Sequence, residues 1–299
     1  MPSLIDLRRR LRAVKSTEQI TKAMKAISAS KLRKSQDRMV SARPFAQLRQ
    51  RVLGDLALQV DSTAHPLLSE SLSPDAPKLL VVVTADKGLC GGFNSALIRK
   101  ANTILKEIDS QVVMGLVGRR GRDYFVRRNA DVCFEEVNIF NDLQYSHAQT
   151  MARVSIDQYT QGAVSGVSVI YNEFKSVMQQ EVVVETLLPI PKTAVEDEDG
   201  VPDADYLFEP AAAEIFDDLL PRYVETQFFR ALLESAAAEH AARMTAMDSA
   251  SRNAGEMIDS LTLHMNKVRQ AAITRELIEV VSGADALWAK AETQFGNAT

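Results

Sequence analysis

An α/β protein is predicted by this sequence of 299 residues, in which a long antiparallel coiled coil of N- and C-terminal helices carries an α/β domain inserted between them. Three observations carry the prediction. Apolar residues recur at alternating spacings of three and four from Leu4 to Val60, and again from Ile258 onward, as in helices that pair along one stripe. Residues 78–190 instead alternate short β-branched runs with amphipathic stretches. No proline interrupts the chain from Arg222 to Thr299.

Along the first helix, Leu4, Leu7, Leu11, Val14, Leu32, Met39, Ala42, Ala46, Leu53, Leu56 and Val60 share one heptad register. Between them that register falls on Glu18, Thr21, Lys25 and Ser28, while the apolar stripe moves to Ile20, Met24 and Ile27, so the seam is expected to drift around the helix. Pro44 is expected to kink or end it, because proline removes a helical N–H and clashes with the preceding turn. Strands follow at Lys78–Thr84, Gln111–Val117, Val132–Val137, Gly166–Tyr171 and Glu181–Leu187, with helices near Asn94–Ile108, Arg119–Arg128 and Ser146–Ala163. This β-α-β alternation predicts a mainly parallel, Rossmann-like sheet. The fifth strand follows the fourth after only Glu173–Gln180, too short for a parallel crossover, and is expected to be antiparallel. The acidic Glu196–Asp203 stretch reads as a surface loop, and a final helix is expected from about Glu209 or Arg222 to Ala286. Its seam, Ile258, Leu261, Met265, Val268 and Ala272, hops to Ile273, Leu277, Val280, Ala284 and Leu287. The expected division is a discontinuous shaft of 1–60 and 209–287, an inserted domain of 75–190 and an acidic linker of 191–208. An inserted compact domain returns the chain near its point of departure, so the end helices are expected to pair antiparallel, both termini at one tip. At about 1.5 Å per residue they would reach about 85 and 95 Å.

Composition narrows the classes. Hydrophobic content of 46% with 25% charged residues excludes a disordered or collagen-like chain. The net charge of -4 conceals a division: residues 1–51 carry 14 Lys/Arg against 3 Asp/Glu, and the remainder carries 21 against 36. Cys90 and Cys133 form no paired framework, and His65, His147, His240 and His264 have no ligand spacing, so neither disulfide, metal nor cofactor is expected. The run Leu79–Val83 is far short of the roughly 20 residues that span a bilayer, and Met1–Asp6 does not open a signal peptide, which predicts a cytosolic or membrane-peripheral protein.

Few residues suggest chemistry. The turn Ala85–Asn94 has the spacing GxxGG, which fits neither GxGxxG nor GxxxxGK[ST]; a tight turn with Asn94 as a possible cap is favoured over a phosphate cradle. Cys90 within it, near a helix start, has no His or Asp at an interpretable spacing and reads as a small packed residue rather than a nucleophile. The basic stripe Arg8, Arg9, Arg10, Arg12, Lys15, Lys22, Lys25, Lys31, Arg33, Lys34 and Arg38 admits three readings: nucleic acid, an acidic protein partner, or a solvated coiled-coil face. No aromatic residue precedes Phe45 in this segment and the sequence pI is about 5.7, which weighs against nucleic acid. In residues 236–254 eight of nineteen are alanine, either a thin coil of high helix propensity or a slender rod that fits inside something else.

Four stretches carry a resemblance. STEQITKAMKAISASKLRK (Ser16–Lys34), DKGLCGGFN (Asp86–Asn94), EHAARMTAM (Glu239–Met247) and ITRELIEVVSGADA (Ile273–Ala286) resemble, in order and from end to end, the gamma subunit of F-type ATP synthase of the bacterial type. The first reads Lys-Ala-Ile-Ser-Ala-Ser where many members have Lys-Met-Val-Ala-Ala-Ser. The resemblance implies a central rotor subunit without a catalytic site of its own, transmitting torque between a membrane ring and the catalytic hexamer and so coupling proton flow to ATP synthesis. Implied partners are the alpha and beta subunits, the epsilon subunit and the c-ring, with no nucleic acid and no membrane insertion. The implied location is peripheral, on the cytoplasmic face of the bacterial inner membrane. Met24, Lys25, Arg243, Arg269, Gln270 and Thr274 match family positions that touch the catalytic subunits, and Tyr206 matches one that touches the ring. The plastid form's dithiol has no counterpart, since residues 188–209 lack cysteine, so thiol regulation of that kind is not expected.

Overall fold

Strand β1, Lys78–Val83, is buried from Leu79 to Val83, as a strand covered on both faces must be. Around it the computed structural model describes residues 3–59, 65–69, 71, 73–108, 110–191 and 212–296. The element order is α1 (Leu4–Gln59), β1, α2 (Phe93–Glu107), β2 (Val112–Val117), α3 (Arg119–Val126), β3 (Val132–Glu136), a short 3-10 turn, α4 (Tyr145–Thr160), β4 (Gly166–Phe174), β5 (Gln180–Leu188) and α5 (Ala212–Gly296). The expected strands and helices are all present, their ends moved by up to three residues except in the last helix, which runs ten residues past Ala286.

The five strands form one sheet in the order β3-β2-β1-β4-β5. β3, β2, β1 and β4 run parallel, and β5 pairs antiparallel with β4, as the short connection requires. Alternation along β1 sends Leu79, Val81 and Val83 into a core with α4 and the early part of α5, where Met151, Leu220, Val224 and Phe228 lie. Leu80 and Val82 enter the opposite core with Leu97 of α2 and Phe125 of α3. At the turn into α3, Gly118 has φ of 84°, and a Cβ there would stand 2.0 Å from the Thr84 carbonyl oxygen, so only glycine fits.

By packing, the chain divides into two units: residues 25–246, and residues to Met24 together with those from Met247. Both long helices pass through a proline, α1 against expectation. α1 continues through Pro44, and α5 begins ahead of Pro221, which it contains. A proline in a helix interior costs about 3 kcal/mol. Leu220 and Val224, both 0% exposed, flank Pro221 in the core and hold α5 helical across it.

The seam of α1 departs from expectation. It does not drift to Ile20 and Ile27, which are 57% and 58% exposed. Instead Leu4, Leu7, Leu11, Val14, Glu18, Thr21 and Met24 are buried or half-buried in one unit, and Ser28, Leu32 and Met39 are buried in the other, with the half-buried Ser35 between the last two keeping the three/four spacing. Thr21 and Ser28 are small enough for a closely approaching helix, and the Thr21 hydroxyl is satisfied by donating to the Glu18 carbonyl at 2.9 Å. Leu32 packs on Ala237 and Ala241, both 0% exposed. The Ala-rich stretch is thus a close-packing surface. Ser3 and Asp6 start α1 with a reciprocal cap, the Asp6 N–H donating to the Ser3 hydroxyl at 3.2 Å and the Ser3 N–H to the Asp6 carboxylate at 3.3 Å.

In α5, Ile258, Leu261, Met265, Val268 and Ala272 are half-buried as expected. The second run is not a seam. Every residue from Ile273 to Asp285 is exposed, Leu277 at 61% and Val280 at 70%. Among the described residues none covers this part of α5. Leu287 lies outside the residues whose side chains are described.

Candidate functional site

In a doubly wound sheet, ligands gather outside the carboxyl ends of strands where the connections diverge. Here that point follows β1, whose neighbours β2 and β4 are reached on opposite sides. The loop Asp86–Gly92 occupies it. Its ends are fixed by side chains: the Asp86 carboxylate accepts the N–H groups of Arg119 at 3.1 Å and Asn138 at 2.8 Å. Asn94 accepts the Ala85 N–H at 2.9 Å. Asn94 is therefore not the helix cap; Gly92 holds that position without a side-chain bond, and Asn94 stitches the turn from within the first helical turn. Leu89 and Gly91 take left-handed conformations, φ 62° and 57°, the former with its side chain 65% exposed.

The middle of the loop rests on α5. Arg243 donates to the carbonyls of Gly88 at 3.3 Å and Lys87 at 3.5 Å. Its other terminal nitrogen pairs with Glu239 at 2.6 Å, one turn earlier on α5. Both side chains are buried. Burial pushes the Glu239 carboxyl upward against the pull of Arg243, with Asp86 adding to the rise and Lys31 opposing it. Burial also raises the Cys90 thiol, Glu239 assisting and Arg243 opposing. At 2% exposure Cys90 is a packed residue, receiving an N–H from Asn94 at 3.2 Å, and not an activated nucleophile. His240 is held down to about 4 by burial, then by Arg243 and Lys31, and is neutral at physiological pH. Where a phosphate would find free amides in a nucleotide-binding turn, this loop offers carbonyls to an arginine of its own chain.

A second contact secures the same helix. The β4–β5 hairpin turns at Ser176–Gln179, and Phe174 and Val177, with Met244 of α5, pack against the cluster of Leu32, Ala237 and Ala241. The buried Glu234 carboxylate of α5 accepts the Phe174 N–H at 3.0 Å. Lower on α5, Arg230 pairs with Glu185 of β5, which also accepts the Tyr171 hydroxyl at 3.2 Å.

The residues singled out by resemblance are not one cluster. Arg243 is 8% exposed and turned into its own chain. Arg269, Gln270 and Thr274 are exposed on α5 in the unit that also holds the half-buried Met24; Lys25 is exposed in the other unit. Tyr206 lies outside the described residues. The basic residues of α1 from Arg8 to Arg38 are all exposed. Glu239 escaped the sequence reading although its spacing of four from Arg243 was the available signal. Glu234 offered no such signal, because its partner is a backbone N–H. Among the described residues no group of three or more His, Cys, Asp or Glu is placed to hold a metal ion.

Comparison with known proteins covers nearly the whole chain. A family model described as ATP synthase matches residues 3–287. The ATP synthase gamma chain of Solibacter usitatus is 50% identical over 291 residues, spanning 96% of this chain and 99% of that one. That of Pelotomaculum thermopropionicum is 45% identical over 289 residues, spanning 96% and 100%. Among solved structures, a chain in the central stalk and c-ring of Tetrahymena thermophila mitochondrial ATP synthase is 27% identical, spans 78% of this chain and 99% of its own, and superposes with a TM-score of 0.59. A chain of the Euglena gracilis mitochondrial ATP synthase, 18% identical with a TM-score of 0.67 and spanning 96% of this chain and 95% of its own, shares the fold.

Proposed function

The chain belongs to the family of ATP synthase gamma chains, and from that premise we propose that it is the central stalk of a bacterial-type enzyme, turning inside a hexamer of alpha and beta subunits and standing on the membrane ring. The observation that carries the reading, beside membership, is the stretch Ile273–Asp285. A helix exposing Ile273, Leu277, Ile278, Val280 and Val281, all at least 50% exposed, is unsuited to water and suited to an apolar sleeve supplied by another protein. In this reading the shaft comprises residues 1–60 and 209–287, the inserted domain 75–190 forms the base, and 191–208 link the two. Met24, Lys25, Arg269, Gln270 and Thr274 meet the catalytic subunits, and Tyr206 meets the ring. The exposed basic residues of α1 face acidic loops of those subunits; exposed ion pairs of about 0–1 kcal/mol each are weak enough to exchange during turning. ATP chemistry takes place in the partners, and this chain holds no catalytic site. It sits peripherally on the cytoplasmic face of the inner membrane, with the epsilon subunit beside it; no helix among the described residues is long and apolar enough to cross a membrane. The test is to purify alpha and beta subunits with and without this chain. Assembly and ATP hydrolysis that depend on it support the reading, and activity indifferent to it overturns the reading.

A further inference from the structure

Arg243 matches a family position that contacts the catalytic subunits, yet both of its terminal nitrogens are engaged inside the chain. Nη2 reaches the Lys87 and Gly88 carbonyls and Nη1 the Glu239 carboxylate, with side-chain exposures of 10% for Arg243 and 7% for Glu239. A buried ion pair contributes little net stability, because desolvation offsets attraction, but it fixes geometry, and removing one partner strands the other charge. What it fixes here is the loop. Asp86 and Asn94 hold the two ends, Arg243 holds the middle, and Gly91 lies against the same helix one turn on, where an added Cβ would stand 3.8 Å from that of Ala246. Leu89 is thereby kept in a left-handed conformation that costs about 1–3 kcal/mol unless its surroundings impose it. Cys90, directly beneath, is kept from solvent.

We propose that the Arg243–Glu239 pair is a latch that fastens the Asp86–Asn94 loop to α5, so that the sheet and the helix passing it turn as one body and Leu89 and Lys87 are presented outward in a fixed pose. Arg243 is then a positioning residue, acting through the loop rather than by touching a partner. The second half of this inference, a contribution to torque, rests on the rotor reading; the first half does not.

Cys90 reports the latch directly. In a Cys133→Ser background, the full chain assembled with alpha and beta subunits is exposed to a maleimide and labelling at Cys90 is timed. Arg243→Gln is expected to raise the rate at least tenfold, Glu239→Gln to raise it by less, and Arg243→Lys to restore most of the protection. Unchanged labelling in Arg243→Gln overturns the latch whatever the chain's role. In vesicles reconstituted with the complete enzyme, Arg243→Gln is expected to lower proton-driven ATP synthesis at least threefold more than ATP hydrolysis, with Arg243→Lys recovering the ratio. Should Arg243→Gln not assemble, Glu239→Gln, which keeps the shape and removes the charge, carries both measurements. Fast labelling with an unchanged synthesis-to-hydrolysis ratio overturns the positioning role, and failure of the wild-type chain to assemble at all overturns the rotor reading instead.

Discussion

His240 makes stability depend on pH in a way that can be calculated. It is 8% exposed, burial lowers it from 6.5 to about 4, and its Nδ1 has no hydrogen-bond partner among the described residues. Arg243 and Lys31 add to the lowering, while Glu239, its neighbour in sequence, is raised by burial. In the unfolded chain the imidazole titrates near 6.5, so between that pH and about 4 the unfolded state binds a proton that the folded state refuses. The contribution is fully present above pH 6.5, declines as pH falls, and is gone below about 4. A difference of about 2.5 units corresponds to about 3 kcal/mol. Glu239 works in the opposite sense: its raised carboxyl contributes stability below the unfolded carboxylate range and loses it as pH rises through the folded value. The two are separated by comparing variants. Urea unfolding of wild type and His240→Gln at pH values from 7.5 to about 4 should show wild type losing about 3 kcal/mol more than the variant. Parallel pH profiles would refute both the burial of a neutral imidazole and the reasoning built on it.

Gly118→Ala combines a φ of 84° with a Cβ placed 2.0 Å from the Thr84 carbonyl and should cost about 3 kcal/mol or more by urea unfolding. Ala241→Leu, inserted where Leu32 and Ala237 pack tightly, should cost about 1–3 kcal/mol by overpacking, whereas a thermal midpoint equal to wild type would mean that the helices do not approach closely there. Ile20→Ser with Ile27→Ser should leave the isolated chain within about 0.5 kcal/mol of wild type, because both side chains lie outside the seam, while weakening co-purification with alpha and beta subunits.

Much of the fold was legible because local pattern and tertiary demand agree. Leu79–Val83 reads as a buried parallel strand and is one; the short expected connection Glu173–Gln180 suffices to predict the antiparallel pairing of β4 and β5. The seam of α1 was not legible. Ile20 and Ile27 outrank Thr21 and Ser28 in hydrophobicity, yet the partner presents Ala237 and Ala241 to the same helix at Leu32, a surface suited to small seam residues. Choosing between two stripes one residue apart requires knowing the partner. Nor does the sequence choose between a start of α5 near Glu209 and one at Arg222, since it is the burial of Leu220 and Val224 that carries the helix across Pro221. At the candidate site, the motif DKGLCGGFN was visible and its tight turn anticipated, but nothing in the sequence directs Arg243 to that turn. Only the fold brings two backbone carbonyls, more than 150 positions away in sequence, to its guanidinium.

As a central stalk, the chain should turn while its partners hydrolyse ATP. Met178, 80% exposed at the β4–β5 turn, offers a place for a probe as Met178→Cys, with Cys133 replaced and Cys90 buried. With the alpha/beta hexamer fixed to a surface, ATP should drive the probe around in one direction, at a rate that follows hydrolysis. A probe that stays still while the immobilised assembly hydrolyses ATP would contradict the account.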